Sequence, residues 1–191
     1  MPRLFTALEI PQSAALSLSL LRGGLPGARW IDRENFHITL RFIGDVDHRT
    51  ADEVVEALDR VNRPQFMLTL SGTGFFGSKK PHSIWAGVQP SPELNALQAD
   101  LERACQRIGL PAEPRKFIPH VTLARLKNAR VDDVVHYLTG RGDFQALPFL
   151  VTKFVLMSSR DSVGGGPYVV EEEYPLLQPA SSRLTPFELR P

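Results

Sequence analysis

Two short segments from different halves of the chain share one pattern, in which a histidine and a threonine stand two residues apart. Residues 36–40 read Phe-His-Ile-Thr-Leu, and residues 119–123 read Pro-His-Val-Thr-Leu. Side chains alternate between the two faces of a β-strand, so each histidine shares a face with its threonine, while the apolar residues share the other. Each segment is therefore predicted to be a strand with an apolar face for a core and a polar face for a cleft.

The residue types on the polar faces indicate phosphoryl chemistry. Histidine titrates near neutral pH, so one of the pair His37 and His120 can accept a proton while the other donates one. The hydroxyl groups of Thr39 and Thr122 are short, stiff donors suited to phosphate oxygens. Two such strands facing each other would hold a phosphoryl group between two imidazoles and two hydroxyls.

These histidines have two other interpretations. A lone His-x-Thr segment is usually a structural strand histidine, and only its repetition with matching flanks favours a site. A metal centre would need three or four ligands, yet neither strand adds a second His, Cys, Asp or Glu on the same face near its histidine. No metal is therefore expected. His48, His82 and His136 fall in predicted loops or helices and are expected at the surface.

Motifs of several other enzyme classes are missing from the sequence. There is no Gly-x-x-x-x-Gly-Lys phosphate loop and no Gly-x-Ser-x-Gly nucleophile elbow, so neither ATP hydrolysis nor serine hydrolase chemistry has support. Residues 164–166 are three glycines that could hold an anion. A hairpin connection is the preferred interpretation of this run.

Composition limits the class of protein and its partners. Of 191 residues, 42% are hydrophobic and 23% charged, and the formal net charge is +1. Proteins that grip long nucleic acids usually carry a larger basic excess, so contact with RNA is expected at an end or a single phosphate. No apolar run approaches the roughly 20 residues of a membrane span. The one cysteine, Cys105, fits a reducing compartment. We expect a soluble, cytoplasmic monomer without a membrane partner.

Hydrophobic spacing predicts helices and strands in mixed order. The predicted helices are residues 12–21, 47–61, 91–108 and 132–138; the predicted strands are residues 4–10, 30–31, 36–43, 66–75, 83–88, 149–158 and 168–174, with one more inside 116–126. Hairpins without strict β-α-β alternation predict an α+β protein with antiparallel or mixed sheets. Residues 1–178 are predicted to form a single two-lobed domain, and residues 179–191, which are polar and lack periodicity, a loosely ordered tail.

Longer runs around both histidines resemble a known family. Residues 29–44 resemble the first motif of the bacterial and archaeal 2′-5′ RNA ligase and RNA cyclic phosphodiesterase family, which is part of the two-histidine phosphoesterase superfamily. Residues 119–125 resemble the second motif, and residues 4–8, 166–168 and 174–176 resemble further landmarks of the family. The resemblance therefore covers most of the chain and leaves only the tail outside.

The resemblance implies a bilobal, pseudo-twofold α+β fold, with helices on the outer faces and both histidine strands lining a central cleft. It implies hydrolysis of a 2′,3′-cyclic phosphate, at an RNA end or in a nucleoside, to a 2′-phosphomonoester without metal or cofactor. His120 would be the base that activates water, and His37 the acid that protonates the departing 3′ oxygen. Thr39 and Thr122 would hold the non-bridging oxygens, and Arg125 would offset their charge. With a hydroxyl as nucleophile the same groups would ligate RNA, but hydrolysis is expected to dominate.

Strand alternation makes it harder to predict which residues near the motifs face the cleft. Counted from His120, Arg125 should point to the core face, so it reaches the cleft only if the strand ends or bulges near Ala124. Arg41 has the cleft parity and is a candidate substrate contact, although it is less typical of the family pattern. Phe42 has the core parity, although base stacking at the strand end is an alternative.

Two alternatives to the cyclic phosphodiesterase remain open at this point. One is a non-catalytic module that binds RNA ends or nucleotides in the same cleft. The other is an enzyme of the same superfamily that acts on a different phosphodiester.

Overall fold

Ten strands and four α-helices make up the described part of the computed structural model, which covers residues 3–159 and 167–178. The strands are β1 (Arg3–Glu9), β2 (Ala28–Trp30), β3 (His37–Asp45), β4 (Phe66–Leu68), β5 (Leu70–Phe76), β6 (Ser83–Val88), β7 (His120–Leu126), β8 (Phe149–Val151), β9 (Lys153–Ser159) and β10 (Tyr168–Pro175). The helices are α1 (Gln12–Ser19), α2 (His48–Asp59), α3 (Pro92–Arg107) and α4 (Val131–Thr139), and a 3₁₀ turn spans Arg33–Asn35. The glycine run at 164–166 and the tail at 179–191 lie outside the described residues.

The strands form one large antiparallel sheet and a small second one. The order in the large sheet is β10-β9-β1-β3-β7-β6-β5, with β2 also paired to β7, and β4 and β8 form a separate pair. This arrangement confirms the α+β class. The two half-sheets implied by the resemblance meet at β3 and β7, where the one register pair is Ile38 with Val121. The two histidine strands are therefore direct neighbours.

Two of the four helices, α2 and α3, begin at side-chain caps that the sequence supplies. The side chain of Asp47 accepts a hydrogen bond from the Thr50 amide at the start of α2, and Ser91 accepts one from the Leu94 amide at the start of α3. These bonds satisfy amide groups that a helix start leaves unpaired. The predicted apolar stripe of α3 is buried, with Leu94, Leu97 and Leu101 in the core. In the described part of the chain, no helix combines the length and apolar character that crossing a bilayer requires.

Two runs predicted as single strands are each divided between two sheets. Residues 66–75 split into β4, which pairs with β8, and β5, which pairs with β6. The run at 149–158 splits into β8 and β9 in the same way. Phe66, Leu68 and Leu70 all remain buried across the break, so side-chain alternation continues while the hydrogen-bonding partner changes. Alternation reports which face is buried and carries no information about the partner strand.

Candidate active site

The pairing of β3 with β7 brings both predicted polar faces together. Ile38 and Val121 are opposite each other and fully buried, so the residues on either side of them emerge on the other face of the sheet. His37, Thr39, His120 and Thr122 all line one pocket of about 350 Å³ there. The structure thus places the four predicted side chains in a single cleft.

Each histidine ring is held by a carbonyl group two residues earlier in the chain. His37 Nδ1 lies 2.8 Å from the carbonyl oxygen of Asn35, and His120 Nδ1 lies 2.6 Å from that of Ile118. A carbonyl oxygen can only accept, so in both rings Nδ1 is the donor. The neutral tautomer then leaves Nε2 as the atom that exchanges a proton.

Both rings favour the neutral form in the free protein. Burial lowers the pKa of His37 to about 4, with the positive charges of His120 and Arg125 adding to the effect and the bond to Asn35 opposing it. Burial also lowers the pKa of His120, again opposed by its backbone bond and helped by Arg125. Desolvation dominates because the charged imidazolium loses more hydration free energy than the neutral ring when water is excluded.

Aromatic side chains pack against each histidine ring. The His37 ring packs against Phe5 and Tyr168, with centroid distances of 5.2 and 4.8 Å. The His120 and Phe76 rings form a T-shaped pair with centroids 4.9 Å apart, and the His120 centroid lies 6.2 Å from that of Trp85. These contacts exclude water from the rings and restrict their orientation.

A β-bulge in each histidine strand determines which of the residues after the motif face the cleft. Between neighbouring pairs of β7 and β6, β7 contains one extra residue, Leu123, so that Leu123 and Ala124 are both buried. Arg125 is consequently exposed and lines the pocket. This is the position that was expected for Arg125 if the strand had a bulge near Ala124. The side chain stands where its charge acts on both histidines.

The matching bulge in β3 shows that the faces predicted for Arg41 and Phe42 by strand parity were wrong. Base stacking by Phe42, the alternative, stays a prediction. Leu40 is the extra residue relative to β1, and both Leu40 and Arg41 are buried. Arg41 therefore turns towards the helices and forms an ion pair with Glu102 of α3. Phe42, 41% exposed, takes its place on the cleft side.

Several pocket residues were not predicted as site residues from the sequence. They are Arg3, Phe5, Ile31, Asn35, Phe76, His82, Ser83, Arg115, Ser159 and Tyr168. Arg115 belongs to a short basic cluster in the sequence, which is a weak signal. His82 is exposed, as expected, but it also lines the pocket and stacks on Phe76 at 6.3 Å. For the others, the contact depends on which strands pair, and a single strand pattern does not report this.

The described residues contain no group of three or more His, Cys, Asp or Glu side chains arranged to hold a metal ion. Two histidines with exchangeable Nε2 atoms, two hydroxyls and a guanidinium therefore make up the polar equipment contributed by β3 and β7. Such a set can bind an anion and pass protons on either side of it.

Comparison with known proteins gives consistent matches. The family model described as the 2′-5′ RNA ligase superfamily matches residues 11–162. The RNA 2′,3′-cyclic phosphodiesterase of Thermotoga maritima is 32% identical over 176 residues, which are 88% of this chain and 92% of that protein. The enzyme of the same name from Aeropyrum pernix is 38% identical over 135 residues, 69% of this chain and 76% of that protein. The crystal structure of Escherichia coli LigT complexed with 3′-AMP has a TM-score of 0.78 at 27% identity and covers 93% of this chain and 100% of that chain.

Proposed function

Because this chain belongs to the 2′-5′ RNA ligase superfamily, we propose that it is an RNA 2′,3′-cyclic phosphodiesterase that opens the cyclic phosphate to a 2′-phosphomonoester. Its substrates are RNA ends and nucleoside 2′,3′-cyclic phosphates. The observation that carries the proposal is the pair His37 and His120, both bound through Nδ1 and both lining one pocket beside threonine hydroxyls. The names of the relatives support the same chemistry.

The reaction proceeds by in-line attack of water on phosphorus. His120 Nε2 takes the proton of the water as the new P–O bond forms, and His37 Nε2 gives a proton to the 3′ oxygen as its bond to phosphorus breaks. The hydroxyls of Thr39 and Thr122 donate to the non-bridging oxygens, and Arg125 offsets the charge that builds on them. No metal is needed for these steps, because acid, base and positive charge all come from side chains.

Protonation of His37 depends on the substrate. With a pKa of about 4 in the free protein, this ring is neutral at pH 7. A phosphate anion beside the ring favours the charged imidazolium and raises its pKa. The acid is therefore loaded when the cyclic phosphate binds.

The same groups allow the reverse reaction. If a ribose hydroxyl replaces water, His120 and His37 can join two RNA strands at the expense of the cyclic phosphate, which gives 2′-5′ ligation. Water is far more abundant than an RNA hydroxyl, so hydrolysis dominates in solution.

The first prediction is that His37→Ala and His120→Ala each remove turnover of adenosine 2′,3′-cyclic phosphate. Loss of an acid or a base typically lowers the rate by about 10² to 10⁴. The rate is measured in excess chelator, with circular dichroism to check the fold and product analysis to identify the 2′-phosphate. His136→Ala, which removes an exposed histidine on α4, is the matched control. Full turnover in either cleft variant, or loss of the wild-type rate on chelation, would contradict the proposal.

The second prediction assigns the two roles. In a cyclic phosphorothiolate with sulfur at the 3′ bridging position, the leaving thiolate needs no protonation, because a thiol has a pKa of only about 8.5. His37→Ala should regain most of its lost rate on this substrate, whereas His120→Ala should stay inactive. Rescue of His120→Ala instead would exchange the two roles.

We also propose that the protein is a cytoplasmic monomer without a membrane partner. Its one cysteine, Cys105, is buried, and burial raises the pKa of the thiol to about 11. Such a thiol is unreactive and suits a reducing compartment. The monomeric state is tested below together with the unity of the domain.

A further inference from the structure

Arg41 makes its contacts beneath the cleft and not inside it. Its side chain is 5% exposed and pairs through Nε with Glu102, whose side chain is 18% exposed. The guanidinium also donates to two carbonyl oxygens, those of Phe42 and Pro111. A planar group with several donors in a fixed fork is suited to such simultaneous contacts.

Glu102 carries these contacts to the segment that connects α3 to β7. Its Oε1 accepts the backbone amide of Glu113 at 3.1 Å. In the described structure, residues 111–119 form neither helix nor strand, so side-chain contacts of this kind help to fix their path. The segment matters for the cleft because it carries Arg115.

The contacts continue from the segment back to the cleft and close a ring. The Glu113 carboxylate accepts two bonds from the Arg115 guanidinium, at 2.7 and 3.1 Å. The Cζ atom of Arg115 lies 4.9 Å from the centre of the Phe42 ring, and Phe42 follows Arg41 in β3. The sequence of contacts is therefore Arg41, Glu102, Glu113, Arg115, Phe42 and back to Arg41 through the chain.

The exposed part of this ring of contacts, Arg115 and Phe42, forms a flat surface at the cleft. The side chain of Arg115 is 68% exposed, and it is stacked on an aromatic ring that is itself 41% exposed. Guanidinium planes and aromatic rings are the surfaces on which unpaired nucleobases stack in RNA-binding proteins. Arg115 and Phe42 thus form one wall suited to the base of the terminal nucleotide.

From these contacts we infer that the buried Arg41–Glu102 pair positions Arg115 over Phe42 and thereby sets the affinity for the nucleobase. The inference rests on the proposed function, since it concerns the nucleotide that carries the cyclic phosphate. Arg41 and Glu102 are positioning residues: they touch neither the phosphate nor the histidines and act through Arg115. Their effect therefore falls on binding of the nucleoside and leaves the chemistry at phosphorus unchanged.

The test compares two substrates that share the cyclic phosphate and differ in the base. Adenosine 2′,3′-cyclic phosphate has a base, and the 2,3-cyclic phosphate of 1,4-anhydro-D-ribitol has the same ribose ring without one. For Glu102→Gln we expect KM for the adenosine substrate to rise about tenfold, the effect of losing one stacked base, with little change in kcat. KM for the base-free substrate should stay at the wild-type value.

Arg115→Ala provides the direct comparison, because it removes the stacked guanidinium itself. It should raise KM for the adenosine substrate in the same way, and adding Glu102→Gln to it should have no further effect, since the two act on one contact. Asp100→Asn, on the same helix as Glu102, is the matched control. It breaks the ion pairs of Asp100 with Arg63 and Arg103, which lie outside the ring of contacts, and should leave both KM values unchanged.

A single substitution in a buried ion pair leaves the other charge unpaired and can prevent folding. The double variant Arg41→Met/Glu102→Met removes both charges and fills the site with flexible apolar side chains, while the bonds to Pro111 and Glu113 are lost. It should show the same selective rise in KM for the adenosine substrate.

Other results would overturn the inference. These are an unchanged KM in the folded double variant, an equal rise for both substrates, a fall in kcat alone, or an added effect of Glu102→Gln in the Arg115→Ala background. If the wild-type protein hydrolyses neither substrate, the proposed function itself fails. If it hydrolyses both with equal kcat/KM, the proposed function stands and only the nucleobase wall is wrong.

Discussion

His37 combines a fixed orientation with an unfavourable environment for charge. Its Nδ1 atom is bound to the Asn35 carbonyl, while Phe5 and Tyr168 exclude water from the ring. The backbone bond favours the imidazolium, but burial outweighs it and lowers the pKa to about 4. In the proposed mechanism, the site therefore keeps this acid neutral until an anion binds.

The low pKa of His37 has a consequence for the free energy of unfolding. Above pH 6.5 the ring is neutral in both the folded and the unfolded chain, so it contributes no pH dependence. Below pH 6.5 the unfolded chain takes up the proton first, and stability falls until the folded ring titrates near pH 4. The expected slope approaches about 1.4 kcal/mol per pH unit for one proton.

This pH dependence is the third prediction, and it is tested by measuring the free energy of urea unfolding at pH 7, 6 and 5. His37→Asn, which keeps a donor for the Asn35 carbonyl, should lose this component of the slope, while the exposed-ring variant His136→Asn should behave as the wild type. The lowered pKa of His120 leaves a residual slope in both. A full wild-type slope in His37→Asn would show that the ring is not desolvated.

At the scale of single elements, strand alternation predicted the four central residues of the cleft. It succeeded because the first three residues of each motif precede the bulge, so His37 and Thr39 share a face, as do His120 and Thr122. It failed one step later at Arg41, since the extra residue Leu40 reverses the parity of Arg41 and Phe42.

A bulge could not be derived from the strand's own sequence. It is defined by the mismatch between a strand and its neighbour, and here the neighbours are β1 for β3 and β6 for β7. For Arg125 the resemblance to a family supplied the missing information, because it required a cleft position that alternation denied. For Phe42 and Arg41 no such constraint was available. The α+β class and most helix boundaries, by contrast, depend on local spacing and capping residues and were predicted from sequence.

At the scale of the whole molecule, one apolar core lies under both halves of the sheet. A single cluster of buried residues includes Leu8 of β1, Ile38 of β3, Ile84 of β6, Leu97 of α3 and Val121 of β7. Neither half can separate from the other without exposing this shared core. We therefore propose that residues 1–178 form a single domain.

The fourth prediction is that the protein, proposed above to be a monomer, unfolds in one transition. Both tryptophans, Trp30 in β2 and Trp85 in β6, belong to the half of the sheet built around β7, whereas far-ultraviolet circular dichroism reports on all elements. The two signals should give the same urea midpoint, independent of protein concentration. Ile38→Ala, in the other half, should lower the unfolding free energy by about 2 to 5 kcal/mol. It should shift the urea midpoint of the tryptophan signal as far as that of the circular dichroism signal.

Results of other kinds would contradict a single monomeric domain. Separate midpoints for the two signals, or a tryptophan transition that ignores Ile38→Ala, would indicate two independent units. A midpoint that rises with protein concentration would indicate an oligomer.

The two bulges also give the pocket a direction. The two imidazoles are held in the same way, on strands related by an approximate twofold. By themselves they would bind a cyclic phosphate in either of two orientations, and each histidine would then act as the acid in one orientation and as the base in the other. The bulges break this equivalence, because the residue that follows each one on the cleft side is Phe42 in β3 and Arg125 in β7. In the proposed function, a flat stacking surface on one side and the Arg125 cation on the other admit a nucleotide in a single orientation. In the proposed reaction, that asymmetry is what reserves one imidazole for the incoming water and the other for the departing oxygen.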